Sequence, residues 1–196
     1  MIETTYEGHL HILENDEIEQ LYEVPDFDPE SRTVFFDLSN EEASLMEMSR
    51  GVSSKVFFIL QLGYFKAKQL FFNFDFEERK VDAAFVLKKY FPSPNRKDLD
   101  KISRPTRQNQ QRQITALFQY QRFDKTIQKD IFQHAITLAK RHNHPVYLFR
   151  SLCEFLVHRK IILPSYSLLQ RQVISKIIQT EQDRLEQIII QHTLAS

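Results

Sequence analysis

Residues 52–71, VSSKVFFILQLGYFKAKQLF, decide the fold. Val56, Leu60, Tyr64 and Ala67 recur at helical spacing, and most positions between them are apolar as well, so the helix they predict has almost no solvent face. Such a helix must be wrapped by others, and it is expected to be the central buried helix of an all-α, multi-helix protein. Lys55, Gln61, Lys66 and Lys68 are expected at its edges, reaching solvent or a partner. Composition agrees. The 196 residues are 42% hydrophobic with 17 Phe, ample for a core. Three glycines and seven prolines leave little of the turn chemistry that a sandwich or barrel needs.

Outward toward the N-terminus, SNEEASLMEMS predicts a short helix ending near Gly51. Ser39 or Asn40 is its cap, and Glu41 and Glu42 sit at the positive end of its dipole. DFDPESRTVFFDL reads as an extended connector. NDEIEQLYEV predicts a short amphipathic helix with Ile18, Leu21 and Tyr22 on one side and Pro25 as a stop.

Toward the C-terminus, EERKVDAAFVLKKYF predicts a helix stopped by Pro92. The punctuation PSPNRKDLD marks a linker between two packed helical lobes, 1–95 with the acidic leading segment and 96–196. Thr106 is the expected cap of a helix through QNQQRQITALFQY. Ile114, Leu117 and Phe118 anchor it, and its polar N-terminal half projects from the core. Ile127, Ile131, Ala135 and Leu138 form one stripe of the next helix, which HNHP separates from VYLFRSLCEFLVHRK. After IILPSYS, Leu169, Val173 and Ile177 begin a long final helix continuing through Leu185 and Ile189. The short breaks at HNHP and ILPSYS are compatible with helix-turn-helix-like elements.

Enzyme signatures are missing. The chain has no GxxxxGK[ST], GxGxxG or GxSxG, and Cys153 sits among apolar neighbours that predict a buried core thiol. The pairs His9 with His11 and His142 with His144 lack HExxH or CxxC companions, so no metal or other cofactor is expected. A single cysteine excludes an internal disulfide and fits a reducing, cytoplasmic location. There is no signal-peptide pattern and no apolar run of membrane-spanning length, so neither secretion nor a membrane partner is expected.

Zero formal net charge hides a split. Residues 1–50 carry 14 acids against two Lys or Arg, whereas 51–196 carry 12 acids against 24. From Lys101 to Lys176 there are 14 basic residues and three acids, interspersed with Tyr120, Tyr147 and Tyr166. Such a band suits phosphate contact, because counterion release supplies most non-specific affinity. Within it, 104–113 reads RPTRQNQQRQ, three arginines and five carboxamides without an acid. This run is either a solvated helix face or a surface that bonds phosphates and base edges.

Three stretches together resemble the N-terminal region of bacterial transposases of the Tn-three family, which move through replicative cointegrates. In RKIILPSYSLLQRQV, 159–173, the residues Leu163, Pro164, Tyr166, Ser167, Leu169 and Gln170 match the family's Leu-Pro-Gly-Tyr-Ser-Thr-Leu-Gln, with Ser165 and Leu168 departing from it. FFDLSNEEASLMEMSRGVSSKVFFILQLGYFKAKQLF is similar to the family's Leu-Ser-plus-acidic helix and following apolar helix. RPTRQNQQRQITALFQYQRF resembles its Thr-Arg-rich helix and aromatic-basic turn. The resemblance implies binding of double-stranded DNA at the terminal inverted repeats. It also implies a non-catalytic chain, because the family's acidic triad lies in a C-terminal part to which nothing here corresponds.

Two sets of contacts are expected. Lys101, Arg104, Arg107, Gln108, Gln111 and Arg112 would meet the duplex, arginine at guanine or phosphate and glutamine at adenine. Arg159, Lys160, Ser165, Tyr166, Ser167, Gln170 and Arg171 would hold a phosphate at the start of the last helix. The alternative for the second set is that Tyr166 packs inward and Ser165 caps the helix. Other transposase copies are possible partners, through Ile188, Ile189 and Ile190, and a repressor-like remnant that occupies transposon ends is a further reading.

Overall fold

The computed structural model describes residues 12–92, 99–142 and 144–194. His9, His11 and most of the expected linker PSPNRKDLD lie outside the described residues. The architecture is all-α, and the described residues contain no β-strand, only an isolated bridge between Gln121 and Ile161. The elements are α1 (Asn15–Tyr22), α2 (Pro29–Phe35), α3 (Asn40–Glu47), α4 (Val52–Lys68), α5 (Lys80–Tyr90), α6 (Arg104–Leu117), α7 (Lys125–Ala139), α8 (Pro145–His158), α9 (Tyr166–Leu168) and, after a π-helical segment (Leu169–Ile174), α10 (Ser175–Leu194). Contacts divide them into two compact units, Glu23–Tyr120 and the described parts of Met1–Tyr22 with Gln121–Ser196. The lobes expected from sequence, 1–95 and 96–196, are thus set beside a division that assigns α6 to the first unit and α1 to the second.

In the Glu23–Tyr120 unit α4 is the centre, and every residue from Val56 to Phe65 is buried. It packs against α2, α3, α5 and α6. Gly51, at φ +78°, precedes its first turn, and Gln69 closes it in the left-handed conformation. Lys66 meets the expectation of an edge position, its ammonium donating to Glu42 at 2.9 Å and to the Asp37 carbonyl at 2.6 Å. Gln61 does not. It is buried and donates to Gln110 Oε1 at 2.8 Å, because a polar side chain inside a packed unit needs a polar partner.

The expected connector DFDPESRTVFFDL instead contains α2. Asp28 accepts from Ser31 N at 2.7 Å, and Pro29 supplies a backbone already set for the first helical turn. Phe36 then enters the core beside Gly63, where an added Cβ would stand 2.4 Å from the Phe36 ring. Ser39 caps α3 in a reciprocal box with Glu42. Asp82 of α5 accepts from Arg32 Nε at 2.7 Å and from the Tyr64 hydroxyl at 2.6 Å, which ties α2, α4 and α5 together. Burial, followed by this bond to Asp82, raises the Tyr64 phenol above its ordinary range.

In the other unit, α7 packs against α8, the π-helical segment and α10. Its core includes Ile131, Ala135, Leu148, Phe149, Leu152, Leu156, Leu169, Val173, Ile174 and Ile177. Leu13 of the acidic leading segment is part of it. Glu17 of α1 accepts from Arg150 at 2.6 Å. The final helix is not the continuous α-helix expected from Leu169. Leu169, Val173 and Ile174 are all fully buried, and spacings of both four and five on one face fit a helix widened to a π turn. Beyond the core, α10 exposes Leu185, Ile188, Ile189 and Ile190. No helix among the described residues is long and apolar enough to cross a membrane.

Candidate nucleic-acid interface

The polar run begins α6. Ser103, rather than Thr106, is the cap. Its hydroxyl accepts from Thr106 N at 3.3 Å, and Pro105 follows in the first turn. This start places Lys101, Arg104, Arg107, Gln108 and Gln111 around one cleft of ≈ 650 Å³. The other side of the cleft comes from the stretch after α4, with Phe71, Phe72, Asn73, Phe74, Asp75 and Glu78. Lys101 and Arg104 are exposed, and Gln108 and Gln111 are half-buried. Arg112 is exposed but does not line the cleft.

Arg107 has a different environment. Its guanidinium donates through Nε to the Ile102 carbonyl at 3.1 Å and through Nη1 to Asn73 Oδ1 at 2.9 Å, and lies 4.9 Å from the centroid of the Phe57 ring. A guanidinium held by two hydrogen bonds and an aromatic face is fixed in place. It joins the two walls of the cleft. The N-terminal half of α6 also does not project wholly from the core. Gln110 is buried and donates to the Ser54 carbonyl at 2.9 Å and to the hydroxyls of Ser49 and Ser54 at 3.2 and 3.1 Å.

Phe71, Phe72, Asn73, Phe74, Asp75, Glu78 and Ile102 line the cleft without having been predicted from the sequence. The only signal was FFNF directly after a buried helix, which reads equally as core. Phe71 stacks on Phe65 with centroids 4.8 Å apart, and Phe72 meets Tyr64 edge-on at 6.4 Å. Asp75 and Glu78 brace their turn reciprocally, each carboxylate accepting from the other's backbone N–H at 3.0 Å.

The second set lies in the other unit. Tyr166 packs inward. Its hydroxyl accepts from Ile12 N and Leu13 N, both at 3.3 Å, and its ring lies 5.5 Å from that of Phe149. The Ser165 side chain makes no cap hydrogen bond and stands 3.3 Å from the Ser167 hydroxyl. Helix α9 has three residues before the π-helical segment, which runs directly into α10. Arg159 is exposed over the Phe155 ring at 4.7 Å. Lys160 is exposed with φ 54°, and its carbonyl accepts from Gln121 N at 2.7 Å. The Gln170 carbonyl accepts from Ser175 Oγ at 2.9 Å, and Arg171 is exposed.

Of the band's tyrosines, Tyr120 sets its ring 5.1 Å from Phe65, and burial raises its phenol above the ordinary range. His142 lies against Tyr147 at 4.9 Å. Among the described residues no group of three or more His, Cys, Asp or Glu is arranged to hold a metal ion.

Residues 12–176 match the model of a family described as a domain of unknown function, DUF4158. No curated protein matches the chain.

Proposed function

The chain belongs to the DUF4158 family, which is known in transposase N-terminal regions, and from this premise we propose that it binds double-stranded DNA sequence-specifically at the terminal inverted repeats of a Tn-three-type transposon. In this reading it is a non-catalytic module acting in the cytoplasm. Its partners are the transposon ends and other transposase copies, and it uses no cofactor. The observation that carries the reading is the gathering of Lys101, Arg104, Gln108 and Gln111 at one cleft on α6, with exposed Arg112 further along the same helix. Lysine and arginine there neutralise phosphates and set register, whereas the carboxamides discriminate base edges by about 1–3 kcal/mol for each good bidentate pair. Arg107 serves by holding the site together.

Fluorescence anisotropy on a duplex carrying the transposon end, against a scrambled duplex over a salt series, tests this. The end duplex should bind preferentially. Arg104→Ala with Arg112→Ala should weaken binding and reduce the log–log salt slope by about 0.9 for each phosphate no longer neutralised. Arg107→Ala should instead lower the unfolding midpoint. A folded double variant that binds as tightly as the parent, with the same salt slope, would remove α6 from the interface.

A second reading rests on the exposed Leu185, Ile188, Ile189 and Ile190 of α10, an apolar face suited to another protein chain. Self-association in sedimentation without DNA, abolished by Ile189→Glu, would favour an interaction module.

A further inference from the structure

The α6 cleft is concave, and its shape and chemistry point beyond a duplex surface. A duplex is read by an element that projects into a major groove roughly 12 Å wide. The cleft's volume of ≈ 650 Å³ is on the scale of pockets that hold one small ligand, roughly 300–1,000 Å³, and it opens broadly to solvent. We propose that this cleft takes a single unstacked nucleotide of DNA, from a mismatch or an unpaired strand, with a base that carries an exocyclic amino group. The proposal rests on the reading of α6 as a DNA contact and deepens it.

The lining supplies what such a nucleotide needs. Exposed Lys101 and Arg104 meet its phosphate without requiring a paired strand. Half-buried Phe71 and Phe72 offer apolar ring surface, and stacking on aromatic rings is how proteins hold unpaired bases. Asn73, Gln108 and Gln111 carry both donors and acceptors for a base edge. Asp75 and Glu78 are the least expected members of a DNA site. Their negative charge disfavours the phosphate chain at that wall, and carboxylates accept from amino groups such as cytosine N4, which thymine lacks. One wall therefore suits the phosphate and the other an amino-bearing base. The bond from Arg107 to Asn73 holds the two walls together before any ligand arrives.

The experiment uses the full chain and anisotropy on a fully paired duplex, the same duplex with one adenine–adenine mismatch, and short single strands of oligodeoxyadenylate and oligothymidylate. The mismatched duplex should bind roughly tenfold more tightly than the paired one, and the adenylate strand more tightly than the thymidylate, in line with the strength of base–aromatic stacking. Gln108→Ala and Gln111→Ala should each remove both preferences, because each deletes a carboxamide that meets the base edge. Circular dichroism confirms that each variant is folded. Equal affinity for paired and mismatched duplexes overturns the cleft assignment and leaves the duplex reading standing. Binding of single strands without paired duplex overturns the duplex reading and leaves the cleft. Preferences that persist in both folded variants place the nucleotide elsewhere, and no binding to any strand overturns both.

Discussion

Cys153 shows at the residue scale how burial sets chemistry. Burial first, and then the neighbouring Glu154 charge, push its thiol up to about 12. The folded state thus protects the protonated form, while the unfolded thiol loses its proton near ~8.5. The resulting stabilisation is fully present below the unfolded value and is lost as pH rises through the folded one. The urea midpoint should therefore fall across the alkaline range between those values, and Cys153→Ala should make the decline shallower. Tyr22 and Tyr64, raised mainly by burial, contribute in the same direction. An unaltered alkaline slope in Cys153→Ala would contradict this. LFRSLCEFLV predicts a buried core thiol, but Cys153 is half-buried, packed against the core rather than inside it. The engagement of Arg107 was not legible, because nothing in RPTRQNQQRQ distinguishes the arginine that meets Asn73 and Phe57 from those beside it.

At the scale of elements, the junction of α2 with α4 depends on the absence of one side chain. Gly63→Ala gains helix propensity of about 1 kcal/mol, but its Cβ would meet Phe36 Cδ1 at 2.4 Å and Cε1 at 2.5 Å. Phe36 is fully buried and has little room to yield. Overpacking of this kind costs about 1–3 kcal/mol, so the variant should be less stable in urea despite the better helix former. A stability gain would show that Phe36 moves freely. Helices α3 to α8 were readable from apolar spacing and caps, although the cap of α6 fell three residues earlier than expected. Helix α2 was missed because its seven residues are too few for apolar spacing to show, and only Asp28 and Pro29 taken together signal a cap and first turn. The π turn was missed because Leu169, Val173, Ile174 and Ile177 fit the apolar face of an ordinary helix as well.

At the scale of the whole molecule, the chain crosses between units twice, and the acidic leading segment belongs with residues more than a hundred positions away. The Tyr166 hydroxyl receives the N–H groups of Ile12 and Leu13. Tyr166→Phe removes that acceptor and should cost about 1–3 kcal/mol for part-buried donors left unpaired. Hydrogen exchange should accelerate at Ile12 and Leu13 and leave Val56–Phe65 unchanged, because α4 belongs to the other unit. Equal acceleration in α4 would mean that the two units open as one.

By itself the sequence determined the helical class, the burial of α4 and the concentration of cations on α6 and beyond. These follow from periodicity and composition, which act over a few turns of chain. Tertiary structure decided that Gln61 meets Gln110 across 49 positions, that Tyr166 turns inward to the N-terminal segment, and that FFNF faces the arginines across a cleft. Local spacing sets which face of a helix is apolar, but which distant polar groups satisfy one another depends on packing that brings them together.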